Sequence, residues 1–569
     1  MPVPTATAPP FAVAAAKKKK KKKKKVAAKK KPVKKKPSSK TCRTVTKKIR
    51  GRRVRVRVCK KTVPAKKPVI TVAQPAPVLP PDPNLPPAPE QPPADLVPSD
   101  EPVEQFTGTL TRRQAERLLW RAGFGPRPGD LEAFTGLPVQ EAVHRLTRFG
   151  TPTYSGVPAS VPVPGLGIPM SVADGRDHIE WWGHLYWLDM MVRCDDPLYE
   201  RMGLIFHDWF ATSISGLTNQ PALNRQTDVL RQLGLGRFDD IVQAMTVDHA
   251  MLGWLDGVAS RPDAPNENFA RELMELFTLG VDRGYTEDDI REAAKAFTGW
   301  IGDPANPSLN SVYYDSNYHK TGSKTIFGVP SAADYEWRSF GTVAGRSGQP
   351  AASKLVDVVL GRYTHASFFC NKLWSYFIPT PPSEQTLASL MNLYVGNVDD
   401  LRQIRPVVEA ILQHPDFYEG PSMTIPPVVY AAGLLRAVNG RIQTHMWAPY
   451  CSVAGQQVHY PPNVAGWDDR TWLDTGTFRG RWLVAHEAIR YGNVDPANGW
   501  EADETPENAV KNALQAIGDP TISNLARYRL TQFAERTSAI GSPDAPRLHA
   551  ERQNALRLLI ATAPDRNVC

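Results

Sequence analysis

The first 67 residues contain 28 of the chain's 69 Lys and Arg and not one Asp or Glu, so this stretch can neither neutralise itself nor build a core. The other 502 residues hold the remaining 41 basic groups against all 57 acidic ones, a net charge of −16 beneath the whole-chain value of +12. Long-range attraction to a polyanion is therefore confined to a short, separable segment, and the body would repel nucleic acid except at a local basic patch. The length of 569 residues allows several domains. No stretch reaches the roughly 18 consecutive apolar residues that a membrane span needs. The start lacks the order of a secretory signal, because the weakly apolar Phe11 to Ala16 precedes the run Lys17 to Lys25.

Four regions follow from composition. Residues 1–40 are Lys, Ala and Pro with almost nothing to bury, and the expectation is a disordered tail. It is either simply solvated or an electrostatic tether to nucleic acid, wall polymer or an anionic lipid surface; lysine supplies charge without base readout. Residues 41–62 alternate in the manner of a small β-hairpin. If Arg50-Gly51 is a two-residue turn, Cys42 lies opposite Cys59 at a non-hydrogen-bonded pair, where the Cα atoms are close enough for a disulfide. Val54, Val56 and Val58 then share one face. The alternative is two unrelated cysteines in a basic linker. A stable bridge implies an oxidising compartment, hence an extracytoplasmic or cell-envelope location, and a start placed too late would account for the missing signal. Residues 63–106 carry 14 prolines and read as a semi-rigid spacer.

Residues 107–569 read as predominantly α-helical, a large multi-helix domain of two fused lobes. Helices are expected over 111–122, 178–194, 198–214, 266–279, 286–297, 365–377, 401–412 and 524–534. Residues 301–350 have little periodicity, and a loop of that length inside a compact domain is often functional.

The standard hydrolase and nucleotide signatures are absent: His486-Glu487 has no second histidine, Gly322-Ser323-Lys324-Thr325 lacks the glycine before lysine, and no GxSxG elbow occurs. The densest polar constellation is NENFARELMELFTLG, residues 266–280. With Asn266 as N-cap, Glu267, Thr278, Arg271, Glu275, Asn268 and Glu272 fall within one arc of about 140°. One reading is an amphipathic helix with a Glu267, Arg271, Glu275 ladder at i,i+4 spacing. The sharper reading has Glu272 and Glu275, one turn apart, sharing a cleft with Arg271 as ligands or as an acid/base pair, and it requires their partial burial. His207 in FHDWFATS borders an aromatic stripe and reads as a core histidine, or as part of a polar site with Asp208. His319 and Lys324 sit in the long loop. Trp181, Trp182, Tyr186 and Trp187 are either core or a sugar-stacking platform.

RLLWRAGFGPRPGDL (117–131), PLYERMGLIFHDWFATS, MLGWLDG, PNENFARELMELFTLG, GYTEDDIREAAKAFTGW, HKTGSKTIFG and PPNVAGW (461–467) together resemble the bacterial domain-of-unknown-function 1800 family over about residues 108–485. The resemblance implies a largely helical, exported or envelope-associated protein without a settled activity, often encoded beside a sulfatase-like partner. Family members often carry His-x-His where this chain has His207 and Trp209, and His-Asp where it has His319-Lys320. A divalent metal would then depend on mixed N/O ligands from His207, His319, Glu272 and Glu275. Thr286 with Asp289 resembles a capping box. The expected function is binding or hydrolysis of a polymeric or sugar-like substrate in an acidic cleft, with Glu272, Glu275, His207 and His319 catalytic and Glu267, Asn268, Arg271 and Lys324 binding. The alternatives are a noncatalytic scaffold tethered to anionic polymer by residues 1–62, and nonspecific nucleic-acid binding by the tail. Cys194, Cys370, Cys451 and Cys569 have no pairing assigned from sequence.

Overall fold

The computed structural model describes residues 41–49, 52–60, 96–160, 179–217, 219–302, 312–330, 352–396 and 403–569, so the readings made for 1–40 and for most of 63–106 lie outside the described residues. The chain divides into two compact units, residues 1–83 and 84–569.

In the first unit β1 (Thr41–Ile49) and β2 (Arg52–Lys60) pair antiparallel. Ile49 stands opposite Arg52 and Cys42 opposite Cys59, the register that a two-residue connection at 50–51 imposes.

The second unit is predominantly α-helical, and 22 α-helices lie among the described residues. Their boundaries follow local chemistry. Thr111 caps Arg112–Arg121 and Thr286 caps Glu287–Ala296, each in a reciprocal capping box with Gln114 or Asp289. Proline opens Pro197–Trp209, Pro427–Ala437 and Pro506–Gln515, where its missing N–H costs nothing. The expected 198–214 helix stops at Trp209 and a separate turn, Ile214–Leu217, follows. Within the long 301–350 segment, Trp300–Gly302 pairs with Val312–Tyr314, and Thr325–Ile326 pairs with Val329–Pro330. No helix among the described residues is long and apolar enough to cross a membrane.

Two main cores form. One gathers Phe206, Trp209, Phe210, Phe238, Phe277 and Phe369; the other gathers Trp187, Tyr430, Trp447, Val484 and Leu556. The Arg112–Arg121 helix serves both, with Leu118 and Leu119 in the first and Trp120 in the second. Buried arginines tie distant backbone together. Arg121 donates to the carbonyls of Phe377, Phe417, Pro421 and Cys569, and Arg436 to those of Gly125, Met191, Val192 and Cys194. Two ion pairs are also fully enclosed, Glu200–Arg231 at 2.6 Å and Glu504–Arg552 at 2.8 Å. Glu200 further accepts from Tyr154 and from the indole of Trp187, so both of its carboxylate oxygens are engaged. Removing one member of such a pair strands a charge away from water. Glu200→Ala should lower the unfolding free energy by about 3–5 kcal/mol, read from urea denaturation with an unchanged m-value.

Candidate functional site

The 266–280 segment starts one residue later than an Asn266 N-cap would give, with Glu267 at the N-cap position, and it also ends differently. The Asn266 side chain accepts from the N–H of Asn268, and the helix Asn268–Glu272 continues as a π-turn, Leu273–Thr278, closed by Thr278 Oγ1 donating to Leu273 O. π-turns insert a residue and change the phase of the side chains that follow. The last carbonyls of the segment find no partner along their own helix. Side chains from elsewhere take them: Lys372 Nζ donates to Leu276 O (3.1 Å), Trp209 Nε1 to Phe277 O (3.0 Å), and His365 Nδ1 is 2.8 Å from Thr278 O.

On the polar side, Arg271 holds Glu267 and Glu275 at 3.4 and 3.3 Å and reaches Glu287 at 2.7 Å with both nitrogens of its fork engaged. The ladder therefore forms, and the stronger contact ties the segment to the next helix. Glu272 is half-buried, and burial together with the neighbouring Glu275 pushes its carboxyl above the usual range, against the pull of Arg271. Glu275 is 22% exposed and Tyr285 lies against it. The partial burial that the acid/base reading required is present.

A groove of about 660 Å³ is lined by Gly284, Thr286, Asp288, Asp289, Glu292, Lys295, Ser323, Thr325, Phe327, Gly328 and Arg362, with neither Glu272 nor Glu275 among its walls. It draws on the GYTEDDIREAAKAFTGW and HKTGSKTIFG blocks. Tyr285, against Glu275, lies in sequence between the lining residues Gly284 and Thr286. Asp289 Oδ2 accepts from Thr286 and Oδ1 from the N–H of Phe327 at 2.6 Å, which fastens the loop to the helix. His319 and Lys324 help to hold this loop. His319 Nδ1 is 2.9 Å from Thr298 O, and the buried Lys324 ammonium donates to the carbonyls of Lys320 and Gly322.

His207 belongs to a different place. Its ring is fully buried and packs edge-on against Trp187, His459 and Trp467. His207 Nε2 accepts from the N–H of His459, and His184 Nδ1 accepts from the N–H of Val458. His459 completes the trio through Gln220 and Thr227, each at 2.8 Å. The next residue, Asp208, accepts from the Trp467 N–H (2.8 Å) and the Tyr376 hydroxyl (2.7 Å). Gly466 is required there: its φ is +89°, and a Cβ would fall 2.2 Å from Asp208 Oδ1. Trp187 is enclosed, so its indole offers no face to a sugar, and the side chains of Trp181 and Trp182 lie outside the described residues. Among the described residues no three His, Cys, Asp or Glu side chains are placed to hold a metal ion, and none of the contacts of His207 is with Glu272, Glu275 or His319.

Sequence reading missed Lys372, Arg362, His184 and His459. Lys372 and Arg362 fall outside any recognisable motif, and His459 lies just ahead of PPNVAGW, where a turn was the only local signal. A multi-helix protein with a polar groove and a partly buried carboxylate pair is the class that this geometry defines. The family model described as protein of unknown function, DUF1800, matches residues 117–565, and the chain belongs to that family. Comparison with curated proteins and with solved structures finds no match.

Burial pushes His184 and His207 down from 6.5 to about 3, and burial with the neighbouring rings pushes His459 well below 6.5. The unfolded chain takes up these protons near pH 6.5, whereas the native fold refuses them until far lower pH. The stabilisation is therefore complete above pH 6.5 and is lost as pH falls, by about 1.4 kcal/mol per pH unit for each histidine. His184→Gln should reduce the acid-side slope of unfolding free energy between pH 6 and 4 by about that amount, measured by urea denaturation at each pH.

Proposed function

We propose that this protein binds and hydrolyses a polymeric, sugar-like substrate along the groove beside Glu275. Glu272 serves as proton donor to the leaving oxygen, and Glu275 as the carboxylate that activates water or steadies positive charge on the reacting carbon. The observation that carries the reading is the half-buried carboxylate pair on the π-turn segment, next to Tyr285. One carboxyl is held above its usual range while the other has an arginine partner, the asymmetry that acid/base hydrolysis uses. Hydroxyl-rich walls from Thr286, Ser323 and Thr325 suit a polyhydroxylated chain. Glu272→Gln and Glu275→Gln should each reduce the release of reducing ends from a soluble polysaccharide panel by about 10²-fold or more, with the melting temperature little changed. If the double variant loses stability and nothing else, the site assignment fails.

A second reading is favoured by the hairpin register. A disulfide between Cys42 and Cys59 would stabilise the ribbon by about 3 kcal/mol through loop closure. The hairpin and the lysine-rich stretch before it then act as a tether to an anionic wall polymer, in an extracytoplasmic setting where the bridge persists. Deleting residues 1–67 should abolish salt-sensitive retention on an anionic matrix; retention that is unchanged would remove the tether.

A further inference from the structure

The acidic side chains of the groove are already spoken for. Asp289 is occupied by Thr286 and Phe327, Glu292 by Lys295, and Asp288 by Arg291. Arg362 is the contrast. Its guanidinium lies over the Phe327 ring at 4.3 Å, and among the described residues it has no carboxylate partner and its Nε is buried without a hydrogen bond. A cation stacked on an aromatic face leaves the edge of the fork, where the N–H groups are, unused. Phe327 is itself held in the left-handed region at φ +53° by its N–H bond to Asp289, so the platform is fixed before anything binds. Gly284, at φ +74°, borders the fork; a Cβ there would come within 3.4 Å of a terminal nitrogen of Arg362. The two terminal nitrogens of a guanidinium that meets no anion among the described residues, preset at the wall of an open groove, match a bidentate oxyanion.

We infer that Arg362 receives an oxyanion substituent, a carboxylate or a sulfate ester, carried by the chain that lies in the groove. The inference rests on the hydrolase reading and names its substrate class: an acidic polysaccharide in place of a neutral one. The paired carboxylates of the wall do not repel such a ligand strongly, because each already has its own donor or cation. Ser323 and Thr325 supply hydroxyls for the uncharged positions of the same chain.

Binding of three probes to the full chain tests this: oligogalacturonate, dextran sulfate and unmodified dextran of similar length. The wild type should bind one anionic probe at least tenfold more tightly than dextran, and the preferred probe separates carboxylate from sulfate. Arg362→Gln should erase that preference, and Arg362→Lys should lose most of it, since an ammonium keeps the charge and loses the fork. The Arg362→Lys variant, with its melting temperature, guards against simple misfolding. Anion binding that survives in Arg362→Gln, or equal binding of dextran and both anionic probes, overturns the inference. Failure of all three probes to bind overturns it as well. Polysaccharide cleavage that depends on Glu272 and Glu275 but not on Arg362 would leave the hydrolase standing and remove the anion subsite alone.

Discussion

The arrangement turns on one helix end. Leu276, Phe277 and Thr278 present three carbonyls with no partner in their own segment, and such groups cannot be left dry inside a protein. Lys372, Trp209 and His365 each supply one donor. Two of these come from the Tyr363–Ser375 helix and one from the Pro197–Trp209 helix, so a single backbone requirement draws three elements to one point. The same carbonyl-rich end is the negative pole of the segment, which suits the lysine ammonium. Once that end is fixed, Glu272 and Glu275 stand half-buried on a rigid base, and Arg271 can span to Glu287 on the next helix.

The 456–467 loop is held by an unusual means. Consecutive backbone N–H groups, Val458 and His459, are accepted by two buried neutral imidazoles, and the far end of the loop is accepted by Asp208. Neutral histidine is a good acceptor inside a core, where a carboxylate would suffer a large desolvation cost. Asp208, which is a carboxylate, is not fully enclosed, yet burial still pushes its carboxyl above the usual range against the pull of the Trp467 N–H and the Tyr376 hydroxyl.

Much of this was legible from residue order. Thr286 with Asp289 fixed a capping box, Pro197 a helix start, and the pairing of Cys42 with Cys59 followed from a turn at 50–51. Local rules suffice where the partner is three or four residues away or related by hairpin symmetry. The π-turn was not legible, because 3.6-residue periodicity has no marker for one inserted residue, and it redirects the side chains after Leu273. The role of His319 and Lys324 as loop holders rests on carbonyls, which composition does not display. Arg362 was invisible for a related reason: what singles it out is that it meets no carboxylate among the described residues, a property of three-dimensional neighbours.

The buried arginine clamps give the body a graded response to acid. Arg121 and Arg436 remain cations even though burial lowers them, because a guanidinium does not give up its proton in the accessible range, and the internal carbonyls they grip, those of Phe377, Phe417 and Cys194 among them, do not titrate either. The histidine-held loop has no such immunity. Acidification therefore acts on a body in which one kind of fastening is indifferent to protons and the other is not. The loop carrying Val458 to Trp467 should part from its seat while the clamps still hold the two cores together, a sequence of failure written into the choice of donor at each buried backbone group.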